Sequence, residues 1–497
     1  MSRAATLGAL LLAATLVTGC RGDDVPPAAR STTSASAGDT PSATASLPAE
    51  TDAPPDADDP ALDPALSEPV EDSLYPDEGD PSVDSLHYDL DLAWAPDTRT
   101  LVGDATIELR STGTADHLQL DLGEPLDVSA VTLDGTDVPF EHLGKDLVVT
   151  APVTKDERYV LEVRYSGTPE PTPAPTTRSD FSVSGWQITP TGETWTMQEP
   201  YGAFTWYPVN DQPSDKAFYD INVTVPSPWV GIANGVMTDQ TEHDGLTTTS
   251  WHLSKPASSY VVTVVTGDYT RTTNTSQSGV EISYWVASNR PGLATGLQSA
   301  AAGLDWLEGL LGPYPFDSLG FVLVDSRSGM ETQTMITLGA TDYTTSVAVL
   351  VHEMAHQWYG DEVTPDDWSD VWMNEGMAMY LQGCWQAQED GRTVDAVMDD
   401  YAAFEGAMRA KSGPPAAYDP KQFGEGNIYY GPALMWHELR KRIGDDAFWK
   451  VVRAWPARDP ETNANRDQYL DWLVRQTHVA RSFFEDWLLS PTTPQRS

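Results

Sequence analysis

The sequence predicts an α+β protein with a β-sandwich-like domain over residues 83–270 and a mainly helical domain over residues 271–490. Short runs of alternating polar and apolar residues, such as 87–92 and 105–109, recur in the first region and are typical of half-buried strands. Longer helical patterns dominate the second region. With 497 residues, 40% of them apolar, the chain is long enough to bury two cores.

The first twenty residues have the pattern of an export signal. Arg3 precedes an apolar run over residues 4–17, which is too short to span a bilayer. Residues 16–20 resemble a bacterial lipobox, in which the cysteine, here Cys20, is acylated and becomes the mature N-terminus. An ordinary cleaved signal peptide or a stray hydrophobic start is the alternative. Lipidation predicts an exported protein on the outer face of the bacterial cytoplasmic membrane, held there only by its lipid.

Residues 21–82 are acidic and rich in Pro, Ser and Ala, with few large apolar residues. Because such a segment cannot bury a core, we expect a disordered tether. Residues 491–497 are a short polar tail. The whole chain carries a formal net charge of −45. That charge repels other polyanions and therefore argues against nucleic acid or anionic lipid as a partner.

Two histidines four residues apart carry the clearest chemical signal. His352 and His356 lie in a helical pattern over residues 346–359, and a spacing of four places them on one helix face. Together they can hold one zinc ion. Glu353, between them, is placed to take a proton from an attacking water.

Catalytic zinc has three protein ligands and one open position, so a third ligand is needed. Glu375 is the candidate, in a second helical pattern over residues 369–388 that can pack beside the first. Taken one at a time, these residues are more simply read as satisfied core histidines and a surface carboxylate. The combination favours a metal site.

Eighteen residues separate His356 from Glu375, and residues 356–364 and 368–376 add further matches to a known pattern. The chain resembles the gluzincin metallopeptidases, and specifically the aminopeptidase N family, over about residues 83–490. This resemblance implies a thermolysin-like catalytic domain, one Zn²⁺ ion, and peptides with a free N-terminus as substrates.

The oxyanion formed during peptide hydrolysis needs a hydrogen-bond donor besides the metal, and a tyrosine hydroxyl stays protonated at neutral pH. The resemblance aligns Tyr429 with the family's catalytic tyrosine. Gly431 and Pro432 depart from the family pattern, although proline is tolerated in the first turn of a helix. The role therefore falls on Tyr429 or Tyr430, or both are simply buried at a helix start.

An aminopeptidase must recognise the substrate's α-ammonium group, and a carboxylate is the simplest group to do so. Gly329, Met330 and Glu331 follow an apolar run and resemble the family motif whose glutamate binds this amine, on a strand along which a peptide can lie. Thr332 stands where the family has asparagine. The resemblance adds Glu199, which would otherwise read as a solvated loop charge.

The position two residues before Glu199 is occupied by Met197, where the family has glutamine. With Thr332, this departure leaves an inactive surface-binding relative as one alternative to a zinc aminopeptidase. An endopeptidase or an epoxide hydrolase on the same scaffold is another. Amine capture distinguishes an aminopeptidase from an endopeptidase, because Glu331 and Glu199 would be superfluous to the latter.

Overall fold

The computed structural model describes residues 56–458 and 460–497. The predicted export signal, Cys20 and residues 21–55 of the predicted tether lie outside this part of the chain. Among the described residues, no helix is both long and apolar enough to cross a membrane.

Residues 83–267 form a domain of β-strands joined by turns and short 3-10 helices. The strands are β1 (Val83–Ala95), β2 (Thr100–Ser111), β3 (Leu118–Asp121), β4 (Leu126–Leu133), β5 (Thr136–Asp137), β6 (Phe140–Leu143), β7 (Asp146–Val149), β8 (Arg158–Gly167), β9 (Thr172–Pro173), β10 (Val183–Ile188), β11 (Thr194–Met197), β12 (Lys216–Pro226), β13 (Val230–Ala233), β14 (Val236–His243), β15 (Leu246–Ser258) and β16 (Val264–Gly267).

The largest sheet of this domain has eight strands, in the order β14-β15-β12-β1-β2-β8-β4-β5. Its strands alternate as the sequence predicts: Leu101, Ala105, Ile107 and Leu109 of β2 are buried, whereas the residues between most of them are partly exposed. A five-stranded sheet (β13-β16-β11-β10-β9) and a three-stranded sheet (β3-β7-β6) complete the domain.

The second domain is mainly helical and contains one further five-stranded sheet, so the predicted order of a β-rich domain followed by a helical one is confirmed. Its elements are β17 (Tyr269–Thr275), β18 (Glu281–Ala287), α1 (Ala294–Leu297), α2 (Ala300–Leu311), β19 (Leu319–Val324), β20 (Gly329–Met330), β21 (Met335–Gly339), α3 (Val347–His356), β22 (Val363–Pro365), α4 (Trp372–Glu389), α5 (Val394–Ser412), α6 (Asn427–Ile443), α7 (Asp445–Ala454), β23 (Thr462–Ala464), α8 (Arg466–Thr477) and α9 (Arg481–Leu489).

The sheet of this domain has the order β17-β18-β19-β21-β20, so the short strand β20 lies at an edge. β18, β19 and β21 are parallel, and β20 runs antiparallel to β21. Helix α3 contacts this edge strand, and helix α4 packs against both α3 and α6. The edge strand and these three helices carry most of the candidate site residues.

Helices α4 and α6 approach closely at a glycine. A Cβ atom added to Gly376 would lie 2.3 Å from the Cβ of Pro432, so only glycine permits this contact. α6 begins at Asn427, which places Tyr429 in its first turn and Pro432 within the helix. Helix α6 therefore continues through Gly431 and Pro432, the two residues that depart from the family pattern.

The prediction of a disordered tether is wrong for residues 56–82. Residues Pro60–Ala65 form a 3-10 helix, and the Asp72 carboxylate accepts a hydrogen bond of 2.6 Å from the backbone N–H of Trp368. Tyr75 is buried between the two domains, with its hydroxyl donating to the Pro420 carbonyl at 2.8 Å. The segment has too few apolar residues for a core of its own, but it packs on a surface that the two domains supply.

Tyr75→Ala should lower the free energy of unfolding by about 3 kcal/mol, because it removes a buried ring and leaves the Pro420 carbonyl without its donor. Leu143→Ala is the control, since Leu143 is 70% exposed and its loss should cost less than about 0.5 kcal/mol. Urea unfolding of the whole chain measures both. Equal shifts in the two variants would mean that the segment contributes nothing to the folded core.

Candidate metal centre

His352, His356 and Glu375 converge as the sequence predicts. Nε2 of His352 lies 3.2 Å from Nε2 of His356, and Oε2 of Glu375 lies 3.2 Å and 3.4 Å from these two nitrogens. Two neighbouring helices bring them together: α3 carries both histidines on one face, and Glu375 lies in the first turn of α4. All three residues are buried.

These three residues fit a zinc ion. Tetrahedral coordination at 2.0–2.1 Å places neighbouring ligand atoms about 3.3–3.4 Å apart, close to the distances observed here. The buried Oε2 of Glu375 accepts no hydrogen bond in the described part of the chain, which leaves it available to a cation. Two imidazoles and one carboxylate are a donor set typical of catalytic zinc.

The surroundings orient His356 and favour the metal-binding forms of His352 and Glu375. Nδ1 of His356 lies 3.1 Å from the Tyr359 carbonyl, an arrangement that directs Nε2 towards the site. Burial lowers the pKa of His352, and the neighbouring His356 lowers it further, so His352 is neutral. Burial opposes the charge on Glu375, but the two imidazoles outweigh it and hold the pKa of Glu375 below its usual range.

Glu353 lies beside the three ligands on α3 and faces the edge strand. A Cβ atom at Gly329 would lie 2.3 Å from Oε1 of Glu353, so a larger residue at this position would displace the Glu353 carboxylate. Burial, followed by the charge of Glu331, raises the pKa of Glu353 to about 8. A cation at the ligands would favour the charged form of this carboxylate, the form that accepts a proton.

Glu331 and Glu199 form a pair of buried carboxylates beside the metal ligands. One oxygen of each has no hydrogen-bond partner among the described residues, and the two side chains lie in one acidic group with Glu375. Burial raises the pKa of each, and the charge of Glu331 raises that of Glu199 further. A buried carboxylate oxygen without a hydrogen-bond partner is costly, so the pair is suited to a cationic ligand.

The two departures from the family pattern do not remove these carboxylates. Thr332 turns away from the cleft, with its hydroxyl 3.0 Å from that of Thr337. Gln198 is fully buried and donates to the carbonyls of Ser259 and Val262, at 2.7 Å and 2.8 Å. This anchoring holds the segment that presents Glu199, while Met197 is buried next to it.

The structure separates the roles of the two adjacent tyrosines. The Tyr429 ring stacks on the His352 ring, with centroids 6.1 Å apart, which places it beside the metal ligands. Tyr430 instead packs edge-on against Tyr401, at 5.0 Å. Burial raises the pKa of Tyr429 well above its ordinary value, so the phenol stays protonated. Of the two tyrosines, Tyr429 is therefore the one at the metal centre, and it is the candidate hydrogen-bond donor.

Two polar residues of the site were missed from the sequence. Gln357 follows the second histidine, and its amide donates to the Glu331 carbonyl at 3.0 Å. Its position next to His356 could have drawn attention to it. Arg178, whose guanidinium lies 3.4 Å from the Tyr429 hydroxyl, comes from the β-rich domain, 251 residues earlier. No spacing or pattern in the sequence points to it.

Two family models match the chain. The model described as Peptidase M1 N-terminal domain matches residues 84–261, and that described as Peptidase family M1 domain matches residues 297–487.

Curated relatives include glutamyl aminopeptidase of Sus scrofa, 26% identical over 348 residues, which are 64% of this chain and 37% of that protein. Endoplasmic reticulum aminopeptidase 2 of Bos taurus is 30% identical over 212 residues, 38% of this chain and 22% of that protein. The chain thus spans less than half the length of these two relatives.

Solved structures match over more of the chain. An M1 zinc metallopeptidase from Deinococcus radiodurans has a TM-score of 0.76 and 28% identity, covering 86% of this chain and 98% of that chain. A mutant of an M1 zinc metallopeptidase from the same organism, bound to a Tyr-Ser-Ala substrate, has a TM-score of 0.77 and 29% identity, covering 86% and 99%.

His356→Ala should weaken Zn²⁺ binding by at least about 100-fold, because only two of the three ligands remain. Competition titration against a chelator measures this affinity. His437→Gln is the control, since His437 is also buried but pairs with Asp395, 3.0 Å away, outside the site. Retention of zinc by His356→Ala, or equal loss in both variants, would contradict the assignment.

Proposed function

The chain belongs to the M1 family of peptidases, and from that premise we propose that it is a zinc-dependent aminopeptidase that removes N-terminal residues from peptides. The observation that carries this proposal is the pair of buried carboxylates, Glu199 and Glu331, which lie beside the metal ligands and each have one oxygen without a hydrogen-bond partner among the described residues. A peptide's α-ammonium group supplies the cation that such a pair needs.

The proposed mechanism assigns one task to each side chain. Glu199 and Glu331 bind the ammonium group, and β20 aligns the peptide backbone as an added strand. When bound by His352, His356 and Glu375, Zn²⁺ polarises the scissile carbonyl and makes water more acidic.

Glu353 takes the proton of the attacking water and passes it to the leaving amine. The Tyr429 hydroxyl donates to the carbonyl oxygen as negative charge develops on it.

Location and anchoring belong to the same proposal. The resemblance of residues 16–20 to a lipobox supports export, with Cys20 lipidated and the enzyme acting on peptides outside the cytoplasm. The formal net charge of −45 supports peptides rather than nucleic acid as partners. A binding protein without activity is the weaker alternative. The departures from the family pattern at residues 197 and 332 favour it, but neither departure replaces a proposed catalytic group.

The protein should hydrolyse amino-acid anilides that have a free N-terminus at least about 100-fold faster than their acetylated counterparts, because acetylation removes the ammonium charge. A chelator should abolish the activity and zinc should restore it. Cleavage of acetylated peptides would instead identify an endopeptidase, and bound zinc without turnover would favour the binding protein.

Glu353→Gln should keep zinc and lose about 10²–10⁴-fold in kcat, since only the base is removed.

Glu331→Gln should raise KM for free-amine substrates by about 10- to 100-fold, because a neutral amide replaces a carboxylate that pairs with the ammonium. Zinc content, measured on the same sample, should stay unchanged. Glu362→Gln is the control: this carboxylate is also buried but lies 3.9 Å from Lys255, outside the metal groups. An unchanged KM in Glu331→Gln would assign amine binding elsewhere.

A further inference from the structure

Arg178 extends from the loop between β9 and β10 of the β-rich domain into the cleft of the helical domain. Its guanidinium binds the Asp180 carboxylate, with Nη2 and Oδ2 2.7 Å apart. Nη1 donates to the Gly424 carbonyl at 3.0 Å and lies 3.4 Å from the Tyr429 hydroxyl. Nη2 also lies 3.5 Å from the hydroxyl of Ser328, the residue before β20.

These contacts account for every donor of the guanidinium. An arginine has five N–H groups: one on Nε and two on each terminal nitrogen. Nε faces Asp180 at 3.4 Å, and each terminal nitrogen has two acceptors. The side chain is 22% exposed. No N–H group is left over to bind a substrate, so the geometry favours a role exerted through the neighbours of Arg178.

The neighbour of most consequence is Tyr429. A phenol oxygen that accepts a hydrogen bond from a guanidinium keeps its own proton free to donate elsewhere, and the accepted bond polarises the O–H group. The contacts with Gly424 and Ser328 tie the loop before α6 to the residue that leads into β20. The same side chain thereby fixes the position of Tyr429 relative to the strand along which a peptide would lie.

We propose that Arg178 is a positioning residue for Tyr429, a role that rests on the proposed aminopeptidase function. It directs the phenol proton at the carbonyl oxygen of the scissile bond, and it makes the β-rich domain part of the oxyanion-binding arrangement. Arg178 itself does not touch the substrate.

Lys411 of α5 is a matched control, because it contacts Thr177, the residue before Arg178 in the same loop. The Lys411 ammonium group donates to the Thr177 hydroxyl at 3.1 Å and to the Glu425 carboxylate at 2.8 Å, so it also ties this loop to the segment before α6. It has no contact with Tyr429 among the described side chains. Lys411→Ala therefore removes a cation and a tie between the domains while sparing the phenol.

The test is a double-mutant cycle between Arg178→Ala and Tyr429→Phe in the whole zinc-loaded protein. Arg178→Ala should lower kcat by at least about 10-fold with little change in KM, as expected for a contact that acts in the transition state. In the Tyr429→Phe background the same substitution should change kcat by less than about 2-fold, because the hydroxyl through which it acts is gone. The affinity for a phosphinic dipeptide analogue, measured by calorimetry, should follow the same pattern.

Two kinetic results would overturn the proposal: an unchanged kcat in Arg178→Ala, or the same loss in both backgrounds. Lys411→Ala should leave kcat within about 2-fold of the unmutated protein, since it perturbs only the tie between the domains. If Arg178→Ala does not fold, Arg178→Lys replaces it in the cycle, because lysine keeps the charge without the planar guanidinium.

Crystal structures separate this proposal from the proposed function. The Tyr429 hydroxyl should move in Arg178→Ala and stay in place in Lys411→Ala, whether or not the protein cleaves peptides. A hydroxyl that stays in place in Arg178→Ala would overturn the positioning role. The absence of amine-dependent hydrolysis by the unmutated protein would overturn only the proposed function.

Discussion

Crowded negative charge is the constraint around which this cleft is built. The carboxylates of Glu199, Glu331, Glu353 and Glu375 are all buried within one small group around His356. Two like charges 4–5 Å apart repel by about 3–4 kcal/mol at an effective dielectric constant near 20. Burial and this repulsion together raise the pKa values of Glu199, Glu331 and Glu353. In the proposed function, a divalent ion and a substrate ammonium group add positive charge to this cleft, so the same acidity would serve metal binding and amine recognition.

Neither domain holds the complete site. The β-rich domain contributes Glu199 and Arg178, and the helical domain contributes the metal ligands and Glu353. Hydrogen bonds between backbone and side chains fix the two domains at this point: the Lys216 ammonium group donates to the Asp361 carbonyl at 2.7 Å, next to the end of α3. Residues 66–80 reinforce the junction through Asp72 and Tyr75. The relative positions of Glu199 and Glu331, the proposed amine-binding carboxylates, therefore depend on the packing between domains, and not on any single loop.

Short-range spacing explains what the sequence could predict of the site. His352 and His356 share a face because an α-helix repeats every 3.6 residues, and Glu375 reaches them because the next long helix packs against the first. Arg178 and residues 56–82 could not be predicted in this way, because their partners lie hundreds of residues away and their own composition is that of a loop. The sequence also does not show which of Tyr429 and Tyr430 lies at the metal centre. Adjacent residues on a helix point about 100° apart, so a shift of one residue separates the metal centre from the packing beside Tyr401.

A neutral amide connects the metal ligands to the amine-binding strand. Gln357 donates to the Glu331 carbonyl at 3.0 Å and to the Asp361 carboxylate at 2.6 Å, and its oxygen accepts from the Thr334 N–H and the Tyr314 hydroxyl, both at 3.0 Å. A primary amide has two donor hydrogens and two acceptor lone pairs, so all four are used. A carboxylate here would add charge to an acidic cleft, and an apolar side chain would leave buried partners unsatisfied. In the proposed reaction, the distance from the ammonium site to the metal sets which bond is cut, and the hydrogen bonds of Gln357 help to fix this distance.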